Sequence, residues 1–263
     1  MTDFRPGGLQ QLPMVVRNLI IINVLVFLLT YTLGLRGINL DDYLALHYWQ
    51  SPLFRWWQIF THMFMHGSIS HIFFNMFALW MFGRILENVW GAQRFLLFYL
   101  VCGLGAAFCH LGVLTFEYTS FYNAFVHYQQ NPTFAEYTRF INHYGLTENS
   151  LSGGWSTEGS IKGIQDYYYN VKINEATVGA SGAIFGLLFA FGYLFPNTEL
   201  FIYFIPIPIK AKWFVAGYAL LELSQGLYNS AGDNIAHFAH LGGMLFAFIL
   251  LRLWNNKIRN RFY

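Results

Sequence analysis

The chain has 263 residues, of which 56% are hydrophobic and 20% aromatic, while only 11% are charged. A soluble domain carries about 25% charged residues, so this composition excludes an ordinary soluble core and points to a membrane protein. A formal net charge of +2, with no basic run interleaved with aromatics, excludes nucleic acid as a partner.

Taken in order, residues 1–16 read as a short polar N-terminal tail, on the cytoplasmic side by the charge argument below. Residues 18–35, between Arg17 and Arg36, are charge-free and long enough to cross a bilayer. No small-residue cleavage site follows, so this run reads as a retained span rather than a removable signal. Further spans are expected at 56–83, 95–116, 176–198 and 234–251, each bracketed by charges, and at 211–230, where Glu222 interrupts the run. The expected fold is an all-α membrane protein, a six-transmembrane-helix bundle over 17–254 with a basic tail at 255–263.

With six spans both termini share a side. Ten Lys and Arg fall on that side (Arg5, Arg17, Arg84, Arg94, Lys210, Lys212, Arg252, Lys257, Arg259, Arg261) against five on the other. The positive-inside rule then places both termini in the cytoplasm, in a cell (inner) membrane.

Two segments fall outside the spans on the far side. Residues 36–55 are rich in aromatics (Tyr43, Tyr48, Trp49, Phe54) and read as interfacial. Residues 117–175 form a polar extramembrane insert, a long external loop with helical aromatic spacing over Thr119–Tyr144 and loop composition at Leu151–Ser156. Farther on, Pro206-Ile207-Pro208 forces a non-helical turn between the fourth and fifth spans. Cys102 and Cys109 are seven residues apart, about 10 Å along a helix, too far to bridge, and read as packing residues.

Chemistry is concentrated in three stretches. The first runs from Thr61 to Asn75 and brings His62, His66, His71 and Asn75 into an apolar segment. Polar groups at membrane depth are costly and face a protein interior or a water cavity. His71 and Asn75, four apart, share a helical face and are candidate hydrogen-bond donors. The second stretch is Gly179-Ala180-Ser181-Gly182, opening an apolar run through Phe185 and Gly186. The third carries His240, Gly243 and Ala247 on one face. If the small faces of the last two pack together, Ser181 meets His240, the minimum for a base-activated nucleophile. In that arrangement Gly182 and Gly186 admit the last span, and Gly179 leaves room for a carbonyl at the serine N–H.

Together, His66-x4-His71-x3-Asn75, Gly179-x-Ser181-Gly182-x3-Gly186 and Ala239-His240-x2-Gly243-x3-Ala247 resemble the rhomboid family of intramembrane serine proteases, over about 15–116 and 176–254. The resemblance implies a serine endopeptidase acting in or near transmembrane segments of membrane-protein substrates within the lipid bilayer, without cofactor or metal. Ser181 is implied as nucleophile and His240 as general base, a dyad with no carboxylate. His71, Asn75 and the Ser181 N–H are implied as the oxyanion hole, Phe185 as a ring packed on the imidazole, and His66 as a brace of the first external loop. Gln58 stands where many members have Arg, which puts that bracing in question; Gly83-Arg84-x2-Glu87-x3-Gly91-x2-Arg94 matches the family's turn between the second and third spans.

Rival readings are a non-catalytic relative, which would lack the serine or the histidine, and metal binding by His62, His66, His71, His237 and His240, which leaves the Gly179–Gly182 stretch unexplained. Glu222 reads as a carboxylate near the outer end of the fifth span, reaching water or a neighbour's polar group. His62 and His237 read as polar packing. Asp233-Asn234, in the loop before the last span, has no fixed register with His240.

Overall fold

The structure is a computed structural model that describes residues 12–147, 151, 155–202, 205–228 and 236–259. It opens with α1 (Met14–Gly34), followed by the single turns α2 (Asp41–Leu44) and α3 (Gln58–Thr61) and a 3-10 turn at His62–Phe64. Next comes α4 (Ile69–Ala78), continued by a π segment (Leu79–Gly83) into α5 (Arg84–Trp90). Gly91, at φ 78°, turns the chain into the 39-residue α6 (Ala92–Gln130). Two shorter helices, α7 (Phe134–His143) and α8 (Thr157–Asn170), precede α9 (Ser181–Leu194). A hairpin of β1 (Glu199–Ile202) and β2 (Ile205–Lys210) leads into α10 (Ala211–Tyr228) and then α11 (His237–Arg259). The strands pair antiparallel, with Glu199 opposite Lys210.

Among the described residues, four stretches are long and apolar enough to cross a membrane: Met14–Gly34, Ile69–Trp90, Ala92–Gln130 and His237–Asn255; α9 is apolar but has only 14 residues. This corrects several boundaries. The charge-free run 56–83 is not one helix. It begins as short turns, and the long helix starts only at Ile69, where Ser68 Oγ accepts the His71 N–H at 3.1 Å as an N-cap. The helix then carries Arg84 and Glu87 within it and ends at Trp90. The mostly helical structure fits an all-α membrane protein, and the Pro206-Ile207-Pro208 stretch, barred from helix, lies in the small hairpin, on β2. The basic segment after 254 continues α11 as far as Arg259.

The stretch 117–175 is helical over most of its described length, beyond the helical spacing expected for Thr119–Tyr144. Its first part extends α6. Thr133 and Ser156 then cap α7 and α8 by accepting the amides of Glu136 and Gly159. Ser152-Gly153-Gly154 lies outside the described residues. Aromatic residues give this unit its own core, including Tyr118, Phe121, Tyr128, Tyr137, Phe140 and Tyr168. Phe121 stacks on Tyr168 with centroids 5.6 Å apart, and the Tyr128 hydroxyl meets Ser160 Oγ at 2.6 Å.

The centre of the bundle is the trio α6, α9 and α11, which pack most extensively on one another. Small residues make this possible. A Cβ on Gly243 would collide with the carbonyl of Gly182, and one on Gly182 with the Ala106 side chain. On Gly186 it would lie 2.7 Å from Cys102, and on Gly242 2.6 Å from Cys109. Close backbone approach replaces the hydrophobic driving force that lipid removes. On the flank, Glu87 anchors α1. Its buried carboxylate accepts the Val15 and Val16 amides at 2.9 and 2.8 Å, satisfying two of the donors a helix start leaves free.

Two outcomes are expected. Glu87→Ala leaves the α1 amides without their acceptor and lowers stability by roughly 2–3 kcal/mol, read by thermal unfolding in detergent. Gly243→Ala forces α9 and α11 apart at a cost of roughly 1–3 kcal/mol, and the same measurement checks it.

Candidate active site

Ser181 is the first residue of α9, so its N–H has no intrahelical carbonyl to bind and sits at the positive end of the helix dipole. The segment leading to it is fixed on several sides. Thr177 pairs with Leu46 through two backbone hydrogen bonds of 2.8 and 2.9 Å, and the Gly179 N–H donates to the His62 carbonyl at 2.9 Å. Gly179 adopts φ 134°, a region side chains disfavour, and a Cβ there would lie 2.9 Å from His71 Nε2 and 3.4 Å from Ser181 Oγ.

The α9–α11 approach at Gly182 and Gly243 brings His240 to Ser181. His240 Nε2 lies 2.8 Å from Ser181 Oγ. Phe185, one turn along α9, stacks on the imidazole with centroids 4.1 Å apart and planes 6° from parallel. The other ring nitrogen, Nδ1, donates to Glu222 Oε2 at 2.9 Å. The same oxygen accepts from His237 Nδ1 at 2.7 Å. A carboxylate oxygen only accepts, so His240 carries its proton on Nδ1 and presents the Nε2 lone pair to the serine. Glu222, expected to reach water or a neighbour's polar group, thus has the two imidazoles as neighbours and is buried. Asp233-Asn234 lies outside the described residues.

Ser181 and His240 open onto a cavity of about 850 Å³ whose lining includes His71, Asn75, Phe185, Tyr218 and Glu222. Asn75 is buried, and its Nδ2 has no hydrogen-bond partner among the described residues, so this amide is a donor available at the cavity wall. His71 lines the same wall beside Gly179.

The His66 ring packs edge-on against His71, with centroids 5.0 Å apart. Gln58 makes hydrogen bonds that gather the segment before α3. Fully buried, it accepts from the Arg55 amide at 3.0 Å and donates to the Leu53 carbonyl at 2.9 Å. A neutral amide both donates and accepts, so it gathers a loop without burying a charge. His62 holds the Gln58 carbonyl through Nδ1 at 2.9 Å, a packing role.

Sequence reasoning missed His110, Tyr218 and Gln225, all of which line the cavity. His110 Nε2 meets Thr177 Oγ1 at 2.8 Å. The available signal was that His110 is the only histidine in the 95–116 run.

As for metals, the histidines of the rival reading do not come together as one cluster. Among the described residues, only Glu222, His237 and His240 bring donor atoms within 4.8 Å of one another, and those atoms are hydrogen-bonded to each other as above.

Comparison with known proteins shows the family. The model of the Rhomboid domain matches residues 53–124 and 145–255. An uncharacterized mitochondrial rhomboid protein of Schizosaccharomyces pombe is 26% identical over 221 residues, covering 77% of this chain and 53% of its own length. Rhomboid protease GluP of Bacillus subtilis is 43% identical over 49 residues, 19% of this chain and 10% of that protein. Rhomboid protease GlpG of Klebsiella pneumoniae is 31% identical over 90 residues, 34% of this chain and 32% of that protein. The chain spans about half the length, or less, of these relatives. With its family match over more than half of its length and its apolar helices, the chain is a membrane protein that belongs to the rhomboid family.

Proposed function

We propose that the chain is an intramembrane serine endopeptidase that cleaves peptide bonds in or near the transmembrane segments of other membrane proteins. The observation that carries this reading is the 2.8 Å contact between Ser181 Oγ and His240 Nε2 in a cavity that several polar side chains help to line, inside an otherwise apolar bundle. A non-catalytic family member has no use for a serine whose hydroxyl proton faces a free imidazole lone pair.

In this mechanism His240 Nε2 takes the Ser181 hydroxyl proton as Oγ attacks the scissile carbonyl carbon. The carbonyl oxygen becomes an oxyanion, held by the Ser181 N–H, the α9 dipole, Asn75 Nδ2 and His71. Collapse breaks the C–N bond, and His240 returns the proton to the departing amine. Water, activated by the same imidazole, then hydrolyses the acyl ester and frees Ser181. Phe185 holds the ring plane through both halves.

The length of α9 supports a site set below the membrane surface. At about 1.5 Å per residue α9 is about 21 Å long, against roughly 30 Å of hydrocarbon. In the six-span frame α9 and α10 are the fourth and fifth spans, and Ser181 starts below the membrane surface, reached by water through the cavity. Lys and Arg bias supports cytoplasmic termini and a cell (inner) membrane. A substrate helix must locally unwind to offer its carbonyl, so small or helix-breaking residues near the cut are expected. The aromatic unit built on 117–175 is an accessory cap on the outer side.

The test is cleavage of a model transmembrane substrate by the full chain in liposomes. Ser181→Ala and His240→Ala each abolish cleavage while the protein stays folded; full activity in either variant excludes the dyad. Asn75→Ala slows cleavage about 10²–10³-fold without abolishing it, as loss of one oxyanion donor does.

A further inference from the structure

Two acidic side chains are buried among the described residues, Glu87 and Glu222. Glu87 is accounted for by the first amides of α1. Glu222 sits on α10, and both of its described contacts are imidazoles. We propose that Glu222 is a positioning residue for His240, which extends the Ser181–His240 pair into a Ser–His–Glu triad. This inference rests on the reading of those two residues as nucleophile and base.

The geometry is specific. Ser181 Oγ is 2.8 Å from Nε2 and Glu222 Oε2 is 2.9 Å from Nδ1, so the hydroxyl and the carboxylate meet opposite nitrogens of one ring. The carboxylate fixes the tautomer. With the proton held on Nδ1, only Nε2 is free to receive the serine proton. During attack one proton moves, from Oγ to Nε2; the Nδ1 proton stays where it is and Glu222 remains ionised. The ring becomes an imidazolium against a buried carboxylate, so the contact turns from a hydrogen bond into an ion pair as the barrier is climbed. A contact that strengthens only then speeds the reaction rather than substrate binding.

Burial makes the arrangement costly unless it is used. A carboxylate removed from water loses several kcal/mol of solvation, which hydrogen bonds must offset. The second donor, His237 Nδ1 at 2.7 Å, helps to do so and holds Oε2 in place for His240. Phe185 packs the ring flat. Three helices therefore contribute to one base: α11 supplies the imidazole, α9 the ring that stacks on it, and α10 the carboxylate.

The experiment measures kcat and KM of the purified full chain in liposomes on a model transmembrane substrate, with thermal unfolding recorded for each variant. Glu222→Gln keeps the shape but replaces the charge with an amide whose N–H₂ favours the wrong tautomer. The expected result is a kcat lower by about 10²–10⁴-fold with KM changed less than about threefold. Glu222→Asp restores the charge and recovers at least about tenfold of that loss at a similar Tm. Retention of more than about half of kcat in Glu222→Gln overturns the proposal. So does a loss that Glu222→Asp fails to recover. So does a stoichiometric metal ion whose removal by chelation abolishes activity, since Glu222 and His237 would then be its ligands. Parallel Ser181→Ala and His240→Ala variants separate the two claims. If they are inactive while Glu222→Gln is unimpaired, only the Glu222 role is lost; if they are active, the reading it rests on fails.

Discussion

The contact on which everything else depends is the approach of α11 to α9 at Gly243 and Gly182. No side chain fits between them, since even a methyl group on Gly243 meets the Gly182 carbonyl. That closeness lets an imidazole on one helix reach a hydroxyl on the other at 2.8 Å. Ala106 and Cys102 of α6 close the third side against Gly182 and Gly186. Within lipid, where apolar side chains gain little by leaving the solvent, van der Waals contact between backbones is the force available to hold helices in register. The site and the packing are thus one feature, and a change in either moves the other.

Around this contact the protein gathers polar groups that lipid would not tolerate singly. His62, Asn75, Glu222, His237 and His240 are all buried. Most are paired: His62 with a carbonyl, Glu222 with two imidazoles, His240 with both a carboxylate and a hydroxyl. Asn75 Nδ2 stands out because it has no described partner and lines the cavity. On the side of the bundle near Ser181, the aromatic unit of α7, α8 and the end of α6 gives the long polar insertion a core of its own. The segment from Lys172 to Gly179 connects this unit directly to the serine, anchored by the Leu46–Thr177 pairing.

Much of this was legible in the chain because helical spacing is a local rule. The i, i+3, i+7 face of His240, Gly243 and Ala247, and the small residues after Ser181, can be read without knowing the fold. What failed to read depends on distance or on a change of surroundings. Glu222 lies 15 and 18 residues from its two histidines, on a different helix, so no helical spacing rule reveals the pairing. The end of α6 was hidden because a charge at Glu117 marks the edge of the apolar run, not the end of the helix, which continues to Gln130. The 56–83 run reads as a single span because histidines and aromatics carry no formal charge, yet the Met65–Ser68 bend breaks it before Ile69. The role of Gln58 was likewise hidden, since its hydrogen bonds to Arg55 and Leu53 are made by a side chain that no periodicity marks.

The central claim is that Ser181 is made nucleophilic by His240. Its most direct test is labelling of the folded, membrane-reconstituted protein with a serine-reactive fluorophosphonate, the modified residue being mapped by mass spectrometry. The account predicts one label per chain, on Ser181, and none when His240 is replaced by alanine. Labelling at another serine, or undiminished labelling of Ser181 without His240, would contradict it.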